Sequence, residues 1–189
     1  MGTKGVIKWN HKYQTLLNEQ KKPNPNKRLQ SLTPYLNGGV ALDIACGLGG
    51  NSLLLAQNHY RVHAIDISDI ALDFLKSSEY EYKQQIIPLQ FDLEEWDKLP
   101  FHKDEIDLVV MTYYLDRSIF PYAKSIIKDK GYFFMETFYR SLIYDNQHIS
   151  DRFKLHSKEL LREFIDWKIL FYEENEYEGR QTIFCQKHN

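Results

Sequence analysis

At 189 residues and 43% hydrophobic content, the chain is long enough for one domain with a sizeable core and too short for two ordinary ones. A formal net charge of −2, with both signs interspersed, excludes the basic footprint of a nucleic-acid-binding surface. No run of about 18 apolar residues offers a membrane span, so a soluble domain with no membrane partner is expected.

The first ten residues, MGTKGVIKWN, lack the apolar core of a signal peptide, and Val6 stands where a myristoylation signal wants Ser or Thr. Cys46 and Cys185 have neither framework nor CxxC spacing and suit a reducing cytoplasm, which is the expected location. From Trp9 to Gln20, the spacing of Trp9, Tyr13, Leu16 and Leu17 predicts an amphipathic helix, followed by the proline-interrupted loop Lys21 to Asn26. A second short helix is expected over Lys27 to Leu36, distorted or ended by Pro34 and stopped by Asn37-Gly38-Gly39. These helices read as an extension, residues 1–38, packing over a cleft in a single domain of residues 1–189.

Val40 to Asp43 then reads as a short apolar strand closing on an acid, with a glycine turn at Gly47, Gly49 and Gly50 and a helix from about Asn51. Tyr60 to Ile65 predicts a second strand closing on Asp66, and Ser68 can cap the helix that follows and dissolves at Ser77-Ser78-Glu79. Ile86 to Phe91 is the third strand and closes on Asp92. Ile106 to Met111 is a fully apolar run of the kind buried in a parallel sheet. A helix over Ile119 to Lys128 comes next, then Gly131 and a strand from Tyr132 to Phe138. Ser157 offers an N-cap to a helix from Glu159 to Phe164. Two β-rich runs, Trp167 to Glu173 and Arg180 to Gln186, then flank an acidic turn and form a hairpin. Alternating βα units ending in a hairpin predict an α/β fold with a doubly wound, Rossmann-like, mostly parallel sheet of seven strands and an antiparallel end.

The glycine turn selects among ligands. A dinucleotide fingerprint needs G-x-G-x-x-G, and here the third glycine is Ser52. Asp43 lies four residues before Gly47, where its charge repels a diphosphate and attracts an ammonium. A ligand with an amino acid moiety, such as S-adenosylmethionine, fits better.

Asp43-Ile44-Ala45-Cys46-Gly47-Leu48-Gly49 resembles the first motif of class I S-adenosylmethionine-dependent methyltransferases, with Ala45 in place of the first glycine. The resemblance implies that Asp66 takes the donor's ribose hydroxyls, that Ile67 packs on adenine, and that Asp92 and the Leu93 backbone read the adenine ring. Within the class, the stretches around Trp9 and Tyr13, LDIACG, DLVVMTYYLDRSIFP and METF look like the small bacterial tellurite-resistance-type methyltransferases. That likeness implies S-adenosyl-L-methionine as cofactor and a small-molecule acceptor. Arg28 can reach the donor's carboxylate or remain solvated on the surface, and Thr112 is placed with the cofactor residues.

Methyl transfer from a sulfonium is an in-line displacement, so alignment supplies much of its acceleration and no nucleophilic side chain is needed. An oxygen or nitrogen acceptor wants a base as well. Substrate-positioning candidates are Tyr114, Arg117 and Thr137, drawn from the stretches after the fourth and fifth strands that also hold Tyr113, Asp116, Glu136 and Tyr139. Asp116-Arg117 equally suits a helix start, and Arg117 could grip a carboxylate or oxyanion. Tyr113 and Tyr114 face opposite ways, so only one looks into a cleft. Trp9 and Tyr13 form either a packing pair or a lid over the sulfonium. Cys46 reads as a small buried residue, and His59 and His63 straddle a turn, so no metal is expected. Two other functions stay open: a non-catalytic nucleotide-binding module and a nicotinamide-dependent reductase.

Overall fold

The computed structural model describes residues 2–77, 81–144 and 148–188. Seven strands form one mixed sheet in the order β3-β2-β1-β4-β5-β7-β6. Compactness divides the chain into two units, Met1–Pro100 and Phe101–Asn189. Among the described residues no helix is long and apolar enough to cross a membrane.

The first unit holds α1 (Gly2–Asn18), α2 (Lys27–Ser31), β1 (Gly39–Ile44), α3 (Gly50–Gln57), β2 (Tyr60–Asp66), α4 (Asp69–Ser77) and β3 (Ile86–Gln90). β1, β2 and β3 pair in parallel. α1 begins seven residues earlier than its apolar stripe predicts, because its first turns are largely exposed and show no periodicity. The stripe itself does what its spacing implies: Tyr13 is buried against Leu48 and Ala71, with Trp9, Leu16, Leu17, Ile70 and Phe74 around them. Pro34 resolves the second helix into α2 and a 3₁₀ turn, Thr33–Tyr35, since it fits the start of a helix and not its interior. Ser68 caps α4 as expected, its Oγ accepting the Ala71 N–H at 3.2 Å. Ser78 and Glu79, where that helix was expected to dissolve, lie outside the described residues.

The second unit holds β4 (Ile106–Thr112), α5 (Phe120–Ile126), β5 (Ile127–Phe138), α6 (Glu159–Glu163), β6 (Lys168–Asn175) and β7 (Arg180–Gln186). β4 and β5 are parallel, whereas β7 is antiparallel to both β5 and β6. Gly131, expected ahead of the strand, is part of it, since β5 begins at Ile127 and not at Tyr132. It lies inside β5, where a Cβ would stand 2.8 Å from Ile127 Cγ2 and 3.0 Å from the Asp107 carbonyl, so glycine is needed for close approach beside an irregular register. Ser157 does not cap α6: its Oγ donates to Glu174 at 3.1 Å, and Lys158, at φ 58°, precedes the helix. Phe133 and Phe164 stack at 4.4 Å in the core of this unit.

Candidate functional site

In the first unit the glycine turn is built by residues that leave β1 and meet the end of β2. Asp43 is fully buried, and its Oδ2 accepts the Ser52 hydroxyl at 2.6 Å. Its Oδ1 is buried with no hydrogen-bond partner among the described residues. Burial pushes the carboxyl up to about 7, and the Ser52 hydroxyl opposes that shift. Ser52, which breaks the dinucleotide fingerprint, is therefore the anchor of this acid.

Ala45, Gly47 and Gly49 have φ of 57°, 55° and 82°, a left-handed path that bends the main chain back on the end of β2. Ala45 accepts this conformation without glycine's freedom and stores strain on the order of 1–2 kcal/mol. Cys46 donates its amide to the Ile65 carbonyl at 2.9 Å and holds the turn against β2.

Asp66, 3% exposed, closes the arrangement. Its Oδ2 accepts the Gly47 N–H at 2.8 Å and its Oδ1 the Ser68 N–H at 2.9 Å. Burial raises its pKa, against the pull of these two amides. The structure thus brings Asp43, Ala45, Gly47, Gly49 and Asp66 together. Ile67 follows, half-buried, its carbonyl accepting from Gln90 at 3.1 Å. Asp92 caps the turn after β3 by accepting the Glu94 N–H at 3.0 Å, and Leu93 is buried beside it. Arg28 is half-buried on α2.

An orphaned carboxylate oxygen beside a left-handed glycine path, with a second acid fixed by two amides, fits a ligand that offers an ammonium and a pair of hydroxyls. The ligand-facing side of Gly47 is not bare: a Cβ there would stand 2.9 Å from Tyr13 Oη. That phenol also approaches Asp66 Oδ2 at 3.4 Å.

In the second unit the ends of β4 and β5 and the start of β7 gather a different group. Tyr113 has φ 57° and is 51% exposed, and its hydroxyl donates to Glu136 Oε1 at 3.0 Å. Glu136, 2% exposed, also accepts from Thr182 at 2.9 Å. The Arg180 guanidinium lies 3.8 Å from the Phe138 ring centroid and 5.1 Å from that of Tyr113. Its Nη1 is buried with no hydrogen-bond partner among the described residues.

The three substrate candidates fare unequally. Arg117 forms a two-pronged ion pair with Glu159, at 2.5 and 3.1 Å, and donates to the Arg152 and Lys154 carbonyls. Four of its five N–H groups are thereby engaged in tying loops together. Thr137 is 1% exposed inside β5, on the opposite face from Glu136 and Phe138. Tyr114 is half-buried, and its neighbour Tyr113 is the one turned outward by its left-handed backbone. Thr112 ends β4 opposite Glu136 in the register. Sequence reasoning missed Arg180, whose only signal was a cation after Gly179 at the head of the last strand. Among the described residues no cluster of metal-ligating groups occurs.

Residues 41–131 match the family model of a methyltransferase domain. No curated protein matches the chain. Among solved structures, TehB from Haemophilus influenzae has a TM-score of 0.74 at 21% identity, over 91% of this chain and 65% of that one. The geranyl diphosphate C-methyltransferase of Streptomyces coelicolor, in complex with Mg²⁺, geranyl diphosphate and S-adenosyl-L-homocysteine, has 0.64 at 16% identity, over 86% and 81%. A SAM-dependent methyltransferase from Aquifex aeolicus has 0.64 at 12%, over 85% and 89%. At these identities the likeness is one of fold. The matched domain over residues 41–131, the seven-stranded sheet and the acid-glycine-acid turn are together similar to those of the class I S-adenosylmethionine-dependent methyltransferases.

Proposed function

We propose that the protein transfers a methyl group from S-adenosylmethionine to a small-molecule acceptor. The observation that carries the reading is the paired acid arrangement of the first unit, with an Asp43 oxygen unpartnered among the described residues at one side of the glycine path and Asp66 held by two amides at the other. When bound, the donor supplies a methyl group on a sulfonium, which an acceptor lone pair displaces in line as the thioether departs. Asp43 attracts the donor's ammonium, Asp66 accepts from the ribose hydroxyls, and the turn amides fix the backbone that both acids flank. Ile67, Asp92 and Leu93 serve the adenine, with Arg28 and Thr112 completing the donor-binding set.

In the second unit, Tyr113 Oη donates to Glu136 Oε1 and forms a hydroxyl–carboxylate pair able to relay a proton. Arg180, stacked on two aromatic rings with a nitrogen left unsatisfied, suits an acceptor that carries a negative group, the role first assigned to Arg117. Tyr114 and Thr137 remain positioning candidates through the backbone segments they belong to. A reducing intracellular setting accords with two free cysteines.

Calorimetric titration with S-adenosylmethionine, beside Asp66→Ala, tests the donor. Wild type is expected to bind and the variant to lose about a hundredfold in affinity; no binding by wild type, or equal binding by both, overturns the reading. S-adenosylhomocysteine release across thiols, halides, selenite, tellurite and small carboxylates then tests the acceptor class. Arg180→Gln is expected to raise KM for anionic acceptors about tenfold and to leave donor affinity unchanged.

A further inference from the structure

In the first unit, α1 lies against the loops that follow β1 and β2. Asn10 accepts the Ser68 hydroxyl at 2.6 Å and donates to Asp69 at 2.6 Å, so the helix is pinned to the start of α4. One turn later, Tyr13 extends its ring over Gly47. A Cβ on that glycine would meet Tyr13 Oη at 2.9 Å, Cε1 at 3.2 Å and Cζ at 3.3 Å. The left-handed turn favours glycine at position 47, and a Cβ there would also press on this ring.

The phenol also reaches Asp66 Oδ2 at 3.4 Å, a long contact for an O–H donor. Asp66 Oδ2 is the same oxygen that accepts the Gly47 amide. A hydroxyl from the protein's own chain therefore occupies the position where a ribose hydroxyl would meet this acid. Trp9 stacks on Tyr13 with centroids 6.0 Å apart, and Lys12 Nζ sits 4.4 Å from the Trp9 centroid. The group is one packed unit, so the ring does not leave the turn without disturbing Trp9.

We propose that Tyr13 is a built-in competitor for the donor: its phenol occupies the ribose position between Gly47 and Asp66, and the donor binds by displacing it. This rests on the donor reading given above and deepens it with a gate. A ligand that must displace such a group pays by the fraction of molecules already open, so apparent affinity falls by that fraction. The contact is long and the phenol neutral, which keeps the closed state favoured by a modest factor. A gate of this size slows association and weakens binding without closing the site to a donor at working concentration.

The test uses the full chain and S-adenosylhomocysteine as the probe, followed by calorimetry and by tryptophan emission. Wild type is expected to bind with a change in emission that Trp9→Phe removes. Tyr13→Phe, which keeps the ring and deletes the hydroxyl, is expected to bind about three- to tenfold more tightly and to associate faster. Tyr13→Leu keeps apolar contact with Leu48 and Ala71 while clearing the turn, and should shift affinity in the same direction. If both variants bind no more tightly than wild type while wild type binds, the gate is overturned and the donor reading stands. If no form binds, the donor reading falls and the gate with it.

Discussion

Asp43 shows how much one residue's surroundings change its chemistry. Burial pushes this carboxyl up to about 7 from its ordinary 3.8, because it disfavours the charge more than Ser52 favours it. Between about pH 4 and 7 the folded protein therefore holds a proton that the unfolded chain has released, so the unfolded state binds fewer protons and stability falls as pH rises across that window. Relative to Asp43→Asn, wild type should lose on the order of 1–4 kcal/mol from pH 4 to pH 7, read by urea denaturation. Donor binding should run the other way. The ionised carboxylate is the form that attracts an ammonium, so affinity for S-adenosylhomocysteine should rise severalfold from pH 6 to pH 8 and stay flat in Asp43→Asn. Asp43 and Asp66 were legible in the sequence because each closes a strand next to a recognisable turn. Arg180 was not, because what sets it apart is a guanidinium beside two rings with one nitrogen unpartnered among the described residues, and those rings come from residues 42 and 67 positions earlier in the chain.

At the scale of elements, the turn and the loop before α2 hold each other in place. Asn26 donates its amide to the Asn51 side chain at 2.8 Å while its own side chain accepts from Arg28 and Leu29 at the start of α2. A Cβ on Gly50 would stand 2.3 Å from the Asn24 carbonyl, which belongs to that same loop. Backbone cannot yield as a flexible side chain does, so Gly50→Ala should cost about 1–3 kcal/mol and lower Tm by about 3–10 °C in calorimetry. Strand and helix types followed from periodicity, but their ends did not. Gly131 reads as the lead-in to a strand and is a close-packing residue inside β5, and Ser157 reads as a cap and is held by Glu174. In both cases the deciding partner is distant in sequence. The α1 stripe was legible for the opposite reason, since four apolar residues at helical spacing identify the buried face without any partner being known.

For the molecule as a whole, a ligand that binds only the folded state raises its stability by mass action. S-adenosylhomocysteine at about a hundred times its dissociation constant should add about 2.7 kcal/mol, a rise of about 5–11 °C in Tm for a chain of this size. Asp66→Ala at the same ligand concentration should show no such rise, and a scanning calorimeter distinguishes the two. The sequence by itself determined the order of βα units, the reversed end of the sheet, and the acids and glycines around the turn. These depend on local chain chemistry: which residues tolerate positive φ, which spacing buries one face, and which side chain ends a strand. Tertiary structure decided the rest. Only packing could place Tyr13 on Gly47, engage Arg117 with Glu159, and leave Arg180 Nη1 without an acceptor among the described residues, because each depends on a neighbour that the chain reaches only after folding.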